Sequence, residues 1–238
     1  MRVLYGVGLT VLFAIGAVIG VLLGLPIFVV SLVRGARAVH AEGVICRGEL
    51  IARGAPNVAG PVLVRLSGAI EGQAASHDIL GLDIRMQHTA SLDPAYGDQD
   101  LLLGTFESFL TAKRALATTN AGDYLGNGYS TVTPWWVPGT GPTILRLVPP
   151  PAQPADRAAD RVGRLDADLA ADRARFVLTA AGVELAELRL VERLAIADQP
   201  LRASMLRQGR GIRPLGARNG IRFTVYPISQ LARRLRGG

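Results

Sequence analysis

The sequence predicts an α+β fold that is mainly β: an antiparallel barrel with appended helices, preceded by one transmembrane helix. Three observations support this prediction. An apolar segment without any charged residue covers residues 3–33, short alternating segments separated by turns follow it, and apolar residues recur at helical spacing near residue 230. Consecutive short strands with short connections are typical of antiparallel barrels and sandwiches.

The apolar segment 3–33 is long enough to cross a membrane. As a helix it would reach roughly 46 Å, whereas the hydrocarbon core of a bilayer is about 30 Å thick. Pro26 is expected to kink this helix or to end its regular part. A cleaved signal peptide is the alternative, because residues 36–38 include small side chains at cleavage-like spacing. The apolar run is, however, much longer than a signal core of about 7–15 residues.

Arginines are distributed unevenly around this segment. Arg34 and Arg37 follow it directly and Arg47 and Arg53 lie nearby, whereas Arg2 is the one charged side chain that precedes it. Basic residues concentrate on the cytoplasmic side of membrane proteins. The sequence therefore predicts a single-pass membrane protein whose C-terminal domain is cytoplasmic.

Three glycines, Gly16, Gly20 and Gly24, recur at four-residue spacing within the apolar segment. Small residues at this spacing allow the close approach of a second helix in a membrane. The pattern predicts a helix-packing face and leaves the formation of a homo-oligomer open.

Composition excludes several classes of protein. With 49% hydrophobic residues among 238, the chain is not disordered, and Cys46 alone allows neither an intrachain disulfide nor a multi-cysteine zinc site. The 26 basic residues, which give a net charge of +7, include a single lysine, Lys113. Because no basic run interleaves with aromatic residues, we expect no nucleic-acid partner.

The remainder of the chain switches between strand-like and helical patterns. Extended segments are predicted at 44–52, 62–67, 79–86, 100–105, 129–137, 143–148, 176–180 and 188–196, and helices at 106–117, 156–172 and 218–236. A proline spacer begins at 149–151. We therefore divide the chain into a transmembrane helix, 3–33, and one barrel domain, 38–238.

Two groups of residues are candidates for chemistry. His40 shares the parity of Val44 and Cys46, so we expect its imidazole to point into the barrel interior. Arg222 and Tyr226 are four residues apart and lie on one face of the predicted C-terminal helix. A guanidinium there stabilises a phenolate and lowers the pKa of the tyrosine, and a phenolate can ligate ferric haem. The spacing alone equally allows a surface arginine packed over a tyrosine ring.

The same residues carry a resemblance to the haem-dependent catalase superfamily, with the motifs in the family's order. Residues 39–43 (VHAEG) are similar to the V-H-A-K-G around the distal histidine, 64–67 (VRLS) to V-R-F-S, 78–85 (DILGLDIR) to D-P-R-G-x-A-x-K/R, and 222–230 (RFTVYPISQ) to the haem-ligand signature R-x-F-x-Y-P-D-[AST]-[QH]. Residues 213–216 (RPLG) resemble the short, catalase-like peroxidase branch.

This resemblance implies a catalase-like barrel that binds ferric haem. By analogy, Tyr226 ligates the iron as a tyrosinate and Arg222 tunes it, Arg65 contacts a propionate, His40 moves the proton of the peroxide, and Ser67 orients His40. The implied function is that of a membrane-anchored haem peroxidase or catalase-like protein, which reduces hydrogen peroxide or organic hydroperoxides, including those of lipids.

Departures from the family pattern keep two alternatives open. Leu66 replaces a phenylalanine, Thr105 stands where the family places its distal asparagine, and Ile228 replaces an aspartate. These replacements motivate a haem-free, degenerate barrel that serves as a membrane-bound binding or scaffold module. The pair His77 and Asp78 motivates a third function, that of a hydrolase such as a metal-dependent phosphodiesterase.

Overall fold

The structure is a computed structural model that describes residues 2–34, 40, 42–69, 77–88, 91–149, 160–197 and 201–236. Several sequence predictions lie outside the described residues. They are the cleavage-like residues 36–38, Val39 and Ala41 beside His40, the prolines at 150 and 151, and the start of the helix predicted at 156–172.

The described residues form four α-helices and eleven strands. The helices are α1 (Arg2–Arg34), α2 (Ala112–Thr118), α3 (Arg161–Ala170) and α4 (Ala217–Leu235). The strands are β1 (Gly43–Ala52), β2 (Gly60–Gly68), β3 (Leu80–Met86), β4 (Gln99–Gly104), β5 (Tyr129–Ser130), β6 (Trp135–Val137), β7 (Gly141–Thr143), β8 (Leu145–Val148), β9 (Arg175–Ala180), β10 (Val183–Arg193) and β11 (Arg213–Pro214). Single turns of 3-10 helix occupy Pro56–Val58 and Phe109–Thr111.

Eight of the strands form a closed antiparallel barrel in the order β1-β10-β9-β8-β5-β4-β3-β2. β1 closes the barrel because it pairs with both neighbours, so that Leu50 lies opposite Gly60 of β2 on one side and Leu188 of β10 on the other. A separate three-stranded sheet has the order β11-β6-β7. The predicted α+β fold, mainly β and with appended helices, is confirmed.

Side chains alternate between the interior of the barrel and its outer wall. In β2, Val64 and Leu66 pack in the main apolar core, whereas Arg65 and Ser67 point to the opposite face of the strand. Cys46, opposite Val64 in β1, also lies in the core. Because β2 is buried on both faces from its third residue onward, another layer must cover the outer wall here. Leu201 belongs to that layer, because it packs against Leu63 on the outer face.

Two predicted elements are shorter than expected. The helix predicted at 106–117 consists of one 3-10 turn followed by α2. The extended segment predicted at 129–137 is divided between β5 in the barrel and β6 in the small sheet. Val132 has a left-handed φ of 64° and Pro134 lacks an amide hydrogen, so the ladder cannot continue through this segment.

The last hairpin of the barrel starts earlier than predicted. β10 begins at Val183 rather than at residue 188, directly after a two-residue turn. Both turn residues, Ala181 and Gly182, have positive φ angles of 50° and 81°. Such angles give the tight hairpin that matches the twist of paired strands.

The apolar helix α1 runs without interruption from Arg2 to Arg34, with Pro26 exposed inside it. Pro26 therefore does not end the helix, contrary to one of the two predicted outcomes. By length and apolar composition, its segment Gly6–Val33 could span a membrane, and it is the one such helix in the part of the chain that the structure describes.

The predicted glycine face of α1 packs against α4 of the same chain. A Cβ built on Gly20 would lie 2.0 Å from Thr224 Oγ1, and one built on Gly24 would lie 2.3 Å from Ile228 Cδ1. The small residues thus permit a close helix pair, as their spacing predicted. The partner is an amphipathic helix of the domain and not, in this structure, a second copy of α1.

Candidate functional site

A cavity of about 400 Å³ lies between the outer wall of the barrel and α4, a volume in the range of ligand-binding cavities. Its lining residues are Ile27, His40, Arg65, Ala69, Ile79, Gly81, Asp83, Leu102, Leu103, Gly104, Phe106, Ala112, Arg202, Ala203, Arg222, Val225, Tyr226, Ser229, Gln230 and Arg233. The cavity thus brings together His40, Arg65, Arg222 and Tyr226, and the fifth predicted site residue, Ser67, contacts His40.

Helix α4 presents one face to the cavity and another to α1. Arg222, Tyr226 and Arg233 lie on the cavity face, at spacings of four and seven residues. Gly220 and Thr224 lie on the α1 face, where Thr224 Oγ1 donates to the carbonyl of Ala17 at 3.2 Å. Helical periodicity therefore keeps Arg222 and Tyr226 together at the cavity.

His40 lies on the outer side of the barrel wall and not in the interior. It precedes β1, and its left-handed φ of 57° breaks the strand parity from which its direction was predicted. Its Nδ1 lies 3.0 Å from Oγ of Ser67, which is on the outward face of β2. The prediction of an interior position is wrong for this reason, but the imidazole still lines the cavity.

The contacts of the Ser67 hydroxyl are consistent with one particular tautomer of His40. Besides its contact with His40 Nδ1, Ser67 Oγ lies 3.5 Å from the carbonyl oxygen of Gly81. Both contacts are satisfied when Nδ1–H of His40 donates to Ser67 and Ser67 donates to Gly81. In this tautomer Nε2 carries the lone pair, so it is the nitrogen that can accept a proton.

Gly81 is a site residue that the sequence reasoning missed. A Cβ at this position would lie 2.6 Å from Cε1 and 2.8 Å from Nδ1 of His40. Any larger residue would therefore displace the imidazole. A glycine inside a strand pattern often marks a close approach of this kind, and that signal was present in the sequence of β3.

Arg65 is almost completely buried, with 1% of its surface exposed. Its Nη2 donates to the carbonyl of His40 at 2.7 Å, and its Nη1 lies 3.8 Å from Oδ2 of Asp83. Arg65 therefore fixes the backbone at His40, while its guanidinium also lines the cavity.

Positive charge dominates the walls of the cavity. Arg65, Arg202, Arg222 and Arg233 line it, whereas Asp83 is the single carboxylate among the described lining residues. Nη1 of Arg222 is buried and makes no hydrogen bond to any described residue. Because an unsatisfied buried N–H costs about 1–3 kcal/mol, the cavity favours a ligand that carries an anionic or accepting group.

Asp78 stabilises the wall of the cavity from behind. Its Oδ1 accepts hydrogen bonds from the amides of Ala69 and Ile79, both at 2.8 Å, and its Oδ2 lies 3.3 Å from Nη1 of Arg161 in α3. Across the described ranges, no group of three or more His, Cys, Asp and Glu side chains could hold a metal ion. The hydrolase alternative, which was based on His77 and Asp78, receives no support from these contacts.

Two buried tyrosines lie behind the same wall and outside the cavity. Burial raises the pKa of Tyr124, and the nearby Arg161 guanidinium, 5.3 Å from the ring centre, partly opposes this effect. Burial also raises the pKa of Tyr129 well above its ordinary value. Both phenols therefore stay protonated at neutral pH, and neither of them lines the cavity.

A second ionic network holds the segment before β11 against the barrel. Asp100 of β4 accepts a hydrogen bond from Nε of Arg85 at 3.1 Å and one from Arg207. On the other side of this segment, Nε2 of Gln230 in α4 donates to the carbonyl of Ala203 at 2.8 Å. The network positions Arg202 and Ala203 at the cavity, and no motif in the sequence indicated it.

The three departures from the catalase pattern have clear places in the structure. Leu66 packs in the barrel core. Oγ1 of Thr105 accepts the first amide of β3 at 3.1 Å, and the neighbouring Phe106 lines the cavity instead. Ile228 packs on the α1 face of α4, against Gly24.

The fold resembles that of solved catalases. The structure of a fungal catalase has a TM-score of 0.58 to this chain at 11% sequence identity, with 83% of this chain and 59% of the catalase covered. The structure of a bacterial catalase has a TM-score of 0.58 to this chain at 10% sequence identity, with 83% of this chain and 57% of the catalase covered. No protein-family model matches the sequence, and no curated protein matches it. The chain thus has a catalase-like fold and spans less than two thirds of the length of these two catalases.

Proposed function

We propose that the protein is a membrane-attached, haem-dependent peroxidase that reduces hydrogen peroxide or organic hydroperoxides, including those of lipids. The observation that carries this proposal is the cavity that His40, Arg65, Arg222 and Tyr226 share between the barrel and α4. The catalase-like fold supports the proposal, because these four residues also carry the resemblance of the sequence to haem-dependent catalases.

The residues around the cavity fit a ferric haem. Leucines 102 and 103 and Val225 provide apolar walls for a flat macrocycle. Tyr226 would ligate the iron, and Arg222, one turn away, would favour the ionised phenol. The buried Nη1 of Arg222, which makes no hydrogen bond to a described residue, suits this task. Arg65 and Arg233 line the cavity and would pair with the carboxylates of the group.

When bound, a ferric haem would supply the redox-active iron at which a peroxide O–O bond is cleaved, and a reducing substrate would supply the two electrons that this cleavage consumes. The residues of the chain would transfer the proton of the peroxide. Nε2 of His40 would accept it from the peroxide and would return it to the leaving oxygen. Ser67 would hold His40 in the required tautomer, and Arg65 holds the backbone at His40.

In this proposal α1 attaches the protein to a membrane. Most of its large apolar side chains are exposed, which suits contact with lipid. The single-pass orientation with a cytoplasmic domain was predicted from the arginine distribution alone, and the proposed attachment does not depend on it. The division at 3–33 and 38–238 and a homo-oligomer also stay predictions, although the glycine face that suggested self-association is occupied by α4.

A haem-free barrel that serves as a binding or scaffold module at the membrane is the second candidate function. The surroundings of Thr105 favour this candidate. The hydroxyl of Thr105 accepts a hydrogen bond from the first amide of β3, and the neighbouring apolar residue, Phe106, lines the cavity. This arrangement leaves fewer polar groups for a peroxide on that wall.

The absorption spectrum of the detergent-purified full chain, expressed with a haem precursor, separates the two candidates. We expect a Soret band that is lost or strongly shifted in Tyr226→Phe. The matched control is Tyr96→Phe, since Tyr96 is fully exposed and should leave the band unchanged. A folded protein without a Soret band would instead support the haem-free module.

Peroxide turnover by the same preparation tests the role of His40. We expect His40→Ala to keep the Soret band and to lose activity by roughly 10²–10⁴-fold, the usual contribution of a general acid–base group. Turnover equal to that of the unmodified protein would contradict the assignment.

A further inference from the structure

Helix α1 lies along the domain over nearly its whole length. Near its start, Gly6 packs beside Trp136 of β6. Near its end, Nη1 of Arg236 donates to the carbonyl of Leu32 at 2.7 Å. The helix between these contacts is about 39 Å long at 1.5 Å per residue, which exceeds the roughly 30 Å of a hydrocarbon core.

The interface between α1 and α4 is close-packed and contains polar contacts. A Cβ built on Gly16 would lie 1.8 Å from the carbonyl oxygen of Ala217, so the two backbones touch. Further along, Oγ of Ser31 lies 2.7 Å from Oγ of Ser229. Such small residues and hydroxyl pairs are typical of helices that stay together next to lipid. α1 is therefore a fixed part of the domain.

The rest of α1 is apolar and exposed. Its exposed large side chains are Val7, Val11, Leu12, Ile15, Val18, Ile19, Val21, Leu22, Leu23, Leu25, Val29, Val30 and Val33. Thr10 is the one exposed side chain with a polar atom between residues 6 and 33, and its hydroxyl donates to the carbonyl of Gly6 at 3.0 Å. Protein interfaces carry aromatic anchors and a polar rim, whereas lipid requires neither. The composition of this surface therefore favours lipid over a second protein.

A docked α1 cannot cross a bilayer, because the domain would have to enter the hydrocarbon beside it. The outer wall of the barrel carries exposed ion pairs, including Arg47 with Glu192 and Arg146 with Glu107. Each charged side chain at the centre of a bilayer costs at least about 2.5–3.5 kcal/mol. Crossing would therefore require α1 to separate from α4.

We propose that α1 lies in the plane of the membrane surface, with its exposed side among the acyl chains and the barrel on the aqueous side. An interfacial helix needs a polar side, and here the domain, docked through α4, provides it. Trp136 and Arg236, at opposite ends of α1, are exposed and belong to residue types that favour the headgroup region. The inference rests on the membrane attachment in the proposed function, but it does not depend on haem.

This arrangement places the cavity next to the lipid. Ile27, on the flank of α1, lines the cavity, so the cavity lies within one helix diameter, about 10 Å, of the acyl chains. A hydroperoxide dissolved in the bilayer would reach it without passing through the barrel.

Spin labels on α1 of the full chain test the inference. The label is attached to Val7→Cys, Val18→Cys or Val29→Cys, and the protein is reconstituted in vesicles of phosphatidylcholine and phosphatidylglycerol. The three side chains are exposed, and the native Cys46 is buried, so the introduced thiol is the one that reacts. Collision rates with oxygen and with a water-soluble nickel complex then give the depth of each label.

An in-plane helix gives three equal depths, within about 5 Å, the radius of a helix. A spanning helix instead places the label at residue 18 deeper than the other two, by about 16 Å along the axis, and this profile would overturn the in-plane arrangement while keeping membrane attachment. Water exposure at all three positions, like that expected for the control Val183→Cys at the exposed start of β10, would refute attachment itself. The Soret band of the same samples reports on haem separately.

Discussion

The Oγ of Ser67 lies 3.0 Å from the Nδ1 of His40 and also reaches the carbonyl oxygen of Gly81. Ser67 belongs to a buried strand of the barrel, whereas His40 lies outside any strand or helix. Ser67 is part of a rigid strand, so its contact fixes the orientation of the imidazole ring, although the backbone of His40 belongs to no helix or strand.

Removal of this hydroxyl should slow peroxide turnover without loss of haem. In Ser67→Ala, Nδ1 of His40 loses its partner and the ring can adopt the other tautomer, so we expect turnover to fall roughly 10–100-fold, the range for residues that orient a functional group. Ser67→Thr keeps the hydroxyl and should recover most of the rate. Equal rates for the alanine and threonine variants would show that the contact does not matter for turnover.

A side chain at residue 81 should displace the imidazole. The Cβ of Gly81→Ala would lie 2.6 Å from Cε1 of His40, so we expect a loss of activity comparable to that of His40→Ala. Gly128→Ala is a suitable control, because the nearest atom to its Cβ is 3.8 Å away. The measurement is turnover together with the thermal midpoint. Full activity in Gly81→Ala would show that the imidazole of His40 can accommodate a Cβ at residue 81 without loss of function.

The buried pair of Asp78 and Arg161 should contribute strongly to stability. Asp78→Ala leaves the buried Arg161 guanidinium without its carboxylate partner and two backbone amides without an acceptor, so we expect a loss of about 3–5 kcal/mol in the free energy of unfolding. Arg47 and Glu192 form an exposed pair, so Glu192→Ala should change the free energy of unfolding by no more than about 1 kcal/mol. Chemical denaturation compares the two; similar losses would contradict the structural role given to Asp78.

Docking of α1 should depend on Gly20 but not on Gly8. A larger residue at Gly20 meets Thr224 Oγ1 at 2.0 Å, whereas no atom lies within 4 Å of a Cβ at Gly8. We expect Gly20→Leu to lower the thermal midpoint in detergent and to weaken retention of haem, since the displaced α4 carries Tyr226. Gly8→Leu should behave like the unmodified protein. If both leucine variants were equally stable, close packing of α1 on α4 would be excluded.

The thiol of Cys46 should make stability fall at alkaline pH. Burial raises its pKa to about 12, from an ordinary value of 9.0, because the thiolate is poorly solvated in the core. Between these two pH values the unfolded chain has lost this proton and the folded chain has kept it. Below pH 9 this thiol therefore leaves the free energy of unfolding unchanged. Between pH 9 and about 12 the free energy of unfolding falls by about 1.4 kcal/mol per pH unit. Cys46→Ala should reduce this slope, and an unchanged slope would assign the effect to other groups such as Tyr129.

The sequence was sufficient to predict elements with strong internal periodicity. The alternation of β1 and β2 and the spacing of α4 predicted their type, and the four-residue interval between Arg222 and Tyr226 placed both on the cavity face. Periodicity could not predict the direction of His40, because a single left-handed residue precedes the strand and breaks the alternation.

Long-range partners were also beyond prediction. Asp100 and Arg207 are distant in the sequence, and neither forms part of a local motif, yet their contact helps to position Arg202 at the cavity. The glycines of α1 indicated that a helix would pack against them, but not which one. Contacts between distant segments depend on the whole topology, which a local pattern does not contain.

The pairing of α1 with α4 has a consequence for the order of synthesis. Gly24 and Ile228 touch across the interface, but roughly 200 residues separate them, so a ribosome that adds about 5–20 residues per second needs about 10–40 s between the two. Throughout that interval the most apolar helix of the protein is complete while its partner does not yet exist. Early capture of α1 by a membrane or a chaperone would keep it from aggregating until α4 arrives, and the cavity is completed only when that last helix docks.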